Sequence, residues 1–284
     1  MKNLVNRKIF SDLVPAKLLH YRYRRRQIKI LNALNFGSEA NQYFLVSYPK
    51  SGNTWVRFLL ANLLAAENES LDLRNIGNFV PDIHVKSQFR MIYEKNTEFS
   101  CLEYQFIKTH YPYQDHFSDK NIILLVRDGR DVITSYFHYL NSRRSDPISL
   151  PEIITGKSID GFGLWSDHVT GWFKGKARKK VVIRYEDLKR NPHSAIKNLA
   201  DELEWQLSDK QIKRAVDNST FDKLAAKEIK IGGINPSPKD DIRFFRKGQV
   251  GDWANTFSEE NLQLFWDYHR EGMDLFNYGS AEGE

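Results

Sequence analysis

Residues 43–66 read YFLVSYPKSGNTWVRFLLANLLAA, and the change of pattern within them decides the architecture. Tyr43 to Tyr48 are rich in aromatic and β-branched types and are closed by Pro49, as expected of a short buried strand. Beyond the turn, Val56, Leu59, Leu60, Leu63 and Leu64 recur at helical spacing, with Trp55 and Phe58 widening the apolar stripe. Between strand and helix lie Lys50, Ser51, Gly52, Asn53 and Thr54. Gly52 lets backbone N–H groups approach a ligand closely, Ser51 and Thr54 carry hydroxyls, and Lys50 carries charge. The free N–H groups and positive dipole end of the helix add to these, which is the chemistry of an oxyanion cradle. An ordinary strand-turn-helix with a solvated lysine has the same pattern, so the motif does not decide alone.

The rest of the chain repeats the theme. Residues 104–109 (YQFIKT), 121–126 (NIILLV) and 181–185 (VVIRY) are further strand-like runs. Helical patterns follow the third and fourth strands, around Val132 to Leu140 and from about Pro192. A Trp-rich helix is expected over 165–175, and the last third reads as helical, broken by a Gly/Pro-rich connection over 232–238. Residues 67–103 and 141–164 read as loop regions. Strands alternating with helices predict a single α/β domain: a central parallel sheet flanked by helices on both faces. In such sheets ligands bind beyond the carboxyl ends of the strands. Lys50, His110, Arg127 and Glu186 each fall just past a different predicted strand, so four elements converge their polar groups on one edge.

Composition bounds the class of protein. With 284 residues, 41% hydrophobic and 27% charged, the chain is ordinary globular material rather than a disordered one. Its single cysteine, Cys101, excludes an internal disulfide framework and suits a reducing compartment. No apolar run approaches a membrane span, and Lys2, Arg7, Lys8 and Asp12 break up any secretory apolar region, so a cytoplasmic location is expected. The formal charge of +6 is concentrated in an N-terminal arm: residues 1–30 hold nine basic side chains and one acid, leaving a slightly acidic body. That distribution opposes a general nucleic-acid surface. The arm, taken as residues 1–40 ahead of a domain over 41–284, suits either a solvated helix packed by its apolar side or peripheral contact with an anionic membrane or a polyanionic acceptor. No His/Cys/carboxylate cluster has metal-ligand spacing, so no metal is expected.

The turn is not a Walker loop, in which the lysine follows the second glycine; here Lys50 precedes the glycine. PKSGNTW instead resembles the phosphosulfate loop of sulfotransferases that use 3′-phosphoadenosine 5′-phosphosulfate (PAPS), departing from their usual PKSGTTW only at Asn53. Five further segments resemble that family in the expected order. They are IKTHYP around His110, RDGRDVITSYFHY (127–139), RYEDLKRNP (184–192) with STFDKLAAKE (219–228), and RKGQVGDW (246–253).

The resemblance, covering residues 43–257, implies a P-loop-like phosphosulfate-binding turn and a transferase moving a sulfuryl group from PAPS to an acceptor hydroxyl, or an amine. It implies His110 as catalytic base and Lys50 as the cation at the leaving oxygen. Lys50, Ser51, Gly52, Asn53 and Thr54 would hold the 5′-phosphate, and Arg127, Ser135, Arg246, Lys247 and Gly248 the 3′-phosphate. Trp55, Tyr185, Ser219 and Phe221 would surround the adenine. The two loop regions would choose the acceptor, a small molecule, glycolipid or carbohydrate. Residues 254–261 lack the Lys and Val of the family's short dimer segment, so a dimer through that contact is not expected. A P-loop nucleotide or sugar kinase and a non-enzymatic polyanion-binding protein are the competing readings.

Overall fold

The computed structural model describes residues 40–93, 102–157, 162–230 and 245–279; the basic arm and the Gly/Pro-rich connection lie outside them. Four strands form one parallel sheet: β1 (Gln42–Ser47), β2 (Gln105–Thr109), β3 (Asn121–Val126) and β4 (Lys179–Arg184). The spatial order is β2-β1-β3-β4. After β1 the chain first adds β2 on one side, then returns to add β3 on the other. Connections therefore diverge at the carboxyl end of β1, where this topology opens a crevice. The register sets Val46 beside Thr109 and Ser47 beside Leu125, so the strands end nearly level and deliver their following residues to one edge.

Alternation along the strands builds two cores. Phe44, Val46, Ile122, Leu124 and Val126 face one side, and Tyr43, Leu45, Ile123 and Leu125 the other. The second face is covered by α1 (Asn53–Leu64), which buries Val56, Phe58, Leu59 and Leu60, together with α7 (Pro192–Leu203) and α8 (Asp209–Asn218). The first face packs on α3 (Gly129–Asn141), α5 (Trp165–Lys174) and α10 (Glu259–Leu275) through Val132, Ile133, Trp165, Trp172 and Phe265. Helices α6 (Tyr185–Arg190) and α9 (Phe221–Lys230) join these, with two short α-helices introduced next.

Both regions read as loops contain helix. In the first, Lys86–Tyr93 forms α2, with Ile92 buried. In the second, Leu150–Ile154 forms α4, started by a capping box in which Ser149 and Glu152 satisfy each other's first-turn donors. The sequence signal, Ser149 followed three residues later by Glu152 with Pro151 inside the start, is visible in retrospect. The prolines and glycines of the surrounding stretch masked it. The last strand also ends one residue early: Tyr185 opens α6 instead of closing β4.

Candidate active site

The turn after β1 is held in a conformation few side chains tolerate. Lys50 has φ 72° and Gly52 φ 95°, both in the left-handed region that favours glycine. Gly52 also lies flat on a ring: a Cβ there would come within 2.6 Å of Tyr185. As N-cap of α1, Gly52 has no side chain to accept the first-turn N–H groups, so these donors are left for a ligand. Close by, Ser51 Oγ, Asn53 Oδ1 and Arg127 Nε are buried with no hydrogen-bond partner among the described residues. Buried polar atoms are rarely left so, and the two donors among them, Ser51 Oγ and Arg127 Nε, suit an oxyanion group.

Segments far apart in sequence meet here through named bonds. Arg127, at the end of β3, donates from Nη1 to the Lys50 carbonyl (3.3 Å) and from Nη2 to the Gln249 carbonyl (2.8 Å). Its guanidinium lies 4.4 Å from the centre of the Tyr185 ring. Asp131, in the first turn of α3, accepts N–H groups from Gly251 (2.9 Å) and Trp253 (3.1 Å). Arg246 and Lys247 both reach the buried carboxylate of Asp252, at 2.5 and 2.7 Å. These two cations hold that carboxyl down to about 2 against the opposing effect of its burial. Gly248 (φ 61°) packs on Phe221, which a Cβ would approach to 2.6 Å.

A single cavity of about 480 Å³ is walled by these groups. Lys50, Gly52, Asn53, Thr54 and Trp55 border it from the turn, and Arg127, Ser135 and Tyr185 from the adjoining strand ends and helices. Phe221, Arg246, Lys247 and Gly248 close it from the C-terminal side, and His110 lies on the same lining. Two expected residues are absent from that wall. Ser51 is fully buried under the turn, and Ser219 is fully buried against Asn62, whose Nδ2 donates to its hydroxyl (3.2 Å). Trp55 and Tyr185 meet edge to face, with centroids 5.6 Å apart and planes at 76°, so they form a corner rather than two parallel faces. Glu186, the fourth strand-end group, braces the fold: it accepts the Asp128 N–H (3.0 Å) and the Tyr278 hydroxyl (2.8 Å).

On the other side of Lys50 lies His110. Its Nδ1 is 2.7 Å from the Ser47 carbonyl; a carbonyl can only accept, so Nδ1 carries the proton and Nε2 keeps its lone pair. Burial first, then the charge of Lys108, holds this imidazole well below its ordinary basicity, so it is neutral at pH 7. Asn53, the residue that departs from the usual motif, donates from Nδ2 to Ser47 Oγ (3.0 Å) and so ties the anion turn to the strand end that carries His110's acceptor. Lys50 Nζ sits 4.2 Å from the centre of the Tyr139 ring. Burial, and then the cations Arg143, Arg127 and Arg246, lower its ammonium to about 7. Lys108 pairs with Asp82 at 2.8 Å with both largely buried; burial lowers this lysine to about 8 in spite of the partner. Asp82, Lys108, Asp131 and Asp252 were not singled out as site residues from the sequence, because a single acid or lysine has no signal until the fold supplies its partner.

The fold and site together define an α/β protein that holds an oxyanion-bearing ligand at the carboxyl edge of its sheet, beside a neutral histidine. The sulfotransferase domain family matches residues 40–277, and the chain belongs to that family. It is 30% identical to a flavonol 4′-sulfotransferase of Flaveria chlorifolia, over 81% of this chain and 78% of that one. It is 29% identical to cytosolic sulfotransferase 1 of Danio rerio, over 84% and 85%. Among solved structures, a mouse sulfotransferase complexed with PAP matches with TM-score 0.64 at 22% identity, covering 88% of this chain and 92% of the other. The protein is a PAPS-dependent sulfotransferase; neither the kinase nor the polyanion-binding reading finds support. Among the described residues no helix is long and apolar enough to cross a membrane, and no group of His, Cys, Asp and Glu is gathered to hold a metal.

Proposed function

We propose that sulfuryl transfer proceeds with His110 as general base and Lys50 as the cation facing the leaving oxygen, onto a hydroxyl of a small-molecule acceptor. PAPS supplies the sulfuryl group on a 5′-phosphate leaving oxygen. His110 Nε2 takes the acceptor proton while the acceptor oxygen forms its bond to sulfur and the bond from sulfur to the phosphate oxygen breaks. Lys50 and the free N–H groups at the start of α1 stabilise the negative charge that develops on that oxygen. Positioning and electrostatics then carry most of the rate, as in phosphoryl transfer. Arg127, Ser135, Arg246, Lys247 and Gly248 hold the 3′-phosphate, with Trp55, Tyr185 and Phe221 around the adenine. Ser219 is buried against Asn62 and does not border the cavity.

The observation that supports this most is Arg127 bonded at once to the Lys50 and Gln249 carbonyls, since it joins both phosphate-binding segments on one guanidinium. The relatives' names give flavonols as acceptors, and a retinol dehydratase of similar fold was crystallised with androsterone. Hydroxyl compounds of this kind would meet an aromatic wall in Phe162, Tyr136 and Tyr139, which line the same cavity as His110, Asp82 and Lys108. A cytoplasmic site of action accords with such acceptors. The test is transfer of label from PAPS across a panel of phenols, alcohols, sugars and amines, with His110→Ala as control. A general base contributes roughly 10²–10⁴-fold, so the variant should fall at least two decades while still binding PAP. Retention of more than about a tenth of wild-type kcat would remove His110 from the chemistry.

A further inference from the structure

The segment entering α2 runs beside β2 as a short strap. Asp82 forms a parallel bridge with Lys108; Lys108 donates its N–H to the Pro81 carbonyl (2.8 Å), and Ile83 donates to the Lys108 carbonyl (3.2 Å). Beyond the bridge the strap turns, with Val85 donating to the Asp82 carbonyl (3.0 Å), and in doing so it brings two pairs together. Asp82 meets Lys108, and two residues on, His84 meets His110. The first pair is the ion pair described above. In the second, the His110 peptide N–H donates to His84 Nε2 at 2.9 Å, while the His110 carbonyl accepts from His168 Nε2 at 3.0 Å.

The sheet ladder stops at Thr109, so the next peptide has no strand to bond. Two histidine side chains take over, one at its N–H and one at its C=O. We propose that His84 is a positioning residue for the catalytic base: by accepting the His110 peptide N–H it fixes the direction in which the His110 ring leaves the backbone, and so keeps Nδ1 on the Ser47 carbonyl and Nε2 toward the acceptor. This rests on the reading of His110 as base. The bond requires His84 to be neutral at Nε2 and protonated at Nδ1. The ring is itself set by Tyr111, whose centroid is 4.3 Å away, and by Phe162 at 5.7 Å. The His84 peptide N–H donates to Asp82 Oδ1 at 2.8 Å, so the ion pair and the histidine pair support one strap. A backbone hydrogen bond from side chain to peptide carries no charge to the reaction. It acts through placement alone, and a misplacement of about 1 Å near reacting atoms can cost on the order of 10²-fold.

The test uses the full chain saturated with PAP. Imidazole nitrogen NMR of the wild type should detect a coupling across the hydrogen bond between the His110 amide nitrogen and His84 Nε2, and His110 as one Nδ1–H tautomer. His84→Gln keeps an acceptor at similar reach and should keep that tautomer; His84→Leu should show averaged tautomers while the stabilisation by PAP is unchanged. Release of PAP from PAPS with a flavonol acceptor should fall about tenfold or more in kcat for the Leu variant, at unchanged KM for PAPS, and recover to within roughly threefold for Gln. Absence of the coupling in the wild type would overturn the proposal, as would a Gln variant no better than Leu. Should the Leu variant fail to fold, the wild-type coupling and the Gln variant decide. The base reading fails separately, by an active His110→Ala enzyme with the coupling pattern of the remaining histidines intact.

Discussion

Lys50 illustrates how one residue carries conflicting demands. It must be charged to meet a phosphate, yet burial and three arginines lower its ammonium to about 7. An anionic ligand adds the missing negative charge and raises it again. Below about pH 7 the free enzyme is already protonated there, so affinity for PAP should be flat; above it, binding must take up a proton, and affinity should fall by up to about tenfold per pH unit. Calorimetry in buffers of different ionisation heat should find proton uptake near zero at about pH 6 and approaching one at about pH 8, and Lys50→Arg should abolish the difference. As the proposed base, His110 has the opposite sign of requirement, since only a neutral imidazole accepts a proton. Since burial and neighbouring cations push it down, the acid limb of kcat should lie below the pH at which an ordinary histidine titrates; a limb at or above that pH would contradict its buried, cation-flanked setting. At the 3′-phosphate, charge-assisted hydrogen bonds are worth about 1.5–3 kcal/mol each. Arg127→Ala should therefore erase most of the preference for PAP over AMP, measured by titration of each, while AMP binding changes little.

At the scale of elements, the site depends on how α3 is joined to the turn that follows the RKG segment. That joint is Asp131, almost fully buried and accepting two backbone N–H groups from residues 251 and 253 as well as one from Arg127 (3.3 Å). Burial raises its carboxyl above the usual range despite these donors. Asp131→Asn presents an amide N–H where donors already converge, and should cost about 1–3 kcal/mol of stability, read from denaturant midpoints at constant m. The same change should weaken PAP more than AMP, because the 246–248 segment would lose its fixed distance from Arg127. If PAP and AMP weaken equally, the joint is structural only. The short strap over 81–84 is the corresponding joint on the acceptor side, and α4, with its capping box, leads toward the Phe162 wall of the same cavity.

The whole molecule is tied together by its ligand site. Residues of β1, β2, β3 and the C-terminal third meet at one edge, so a ligand there bridges parts of the chain that unfold apart. PAP at about 100 times its Kd should stabilise by about 2.7 kcal/mol, and a thermal-shift series should rank PAP far above AMP, with ATP and Mg²⁺ no better than AMP. Equal shifts from all three would count against a site built for the 3′-phosphate. The basic arm can be tested on the same footing: removal of residues 1–30 should leave the PAP shift unchanged, because every residue assigned above to the nucleotide lies beyond them in the sequence, and a lost shift would assign the arm to the binding machinery.

The sequence by itself determined the local patterns: a short buried strand, the glycine turn, the helix stripe that follows, and the order of polar groups past each strand. These are set by periodicity and backbone sterics within a few residues, and the family segments were legible for the same reason, since each is contiguous. Asn53 and Ser219 were legible as members of those segments, but not that Asn53 would turn back to Ser47 or that Ser219 would be buried against Asn62. Only the tertiary structure decided such partnerships: Asp131 with the 251–253 turn, Asp252 with Arg246 and Lys247, Asp82 with Lys108, His84 with the His110 peptide. Each joins residues whose separation along the chain or direction in space no local pattern records. A hydrogen bond or ion pair is a matter of distances set by the crossing of strands β2-β1-β3-β4, and that order is fixed by which faces bury against which helices.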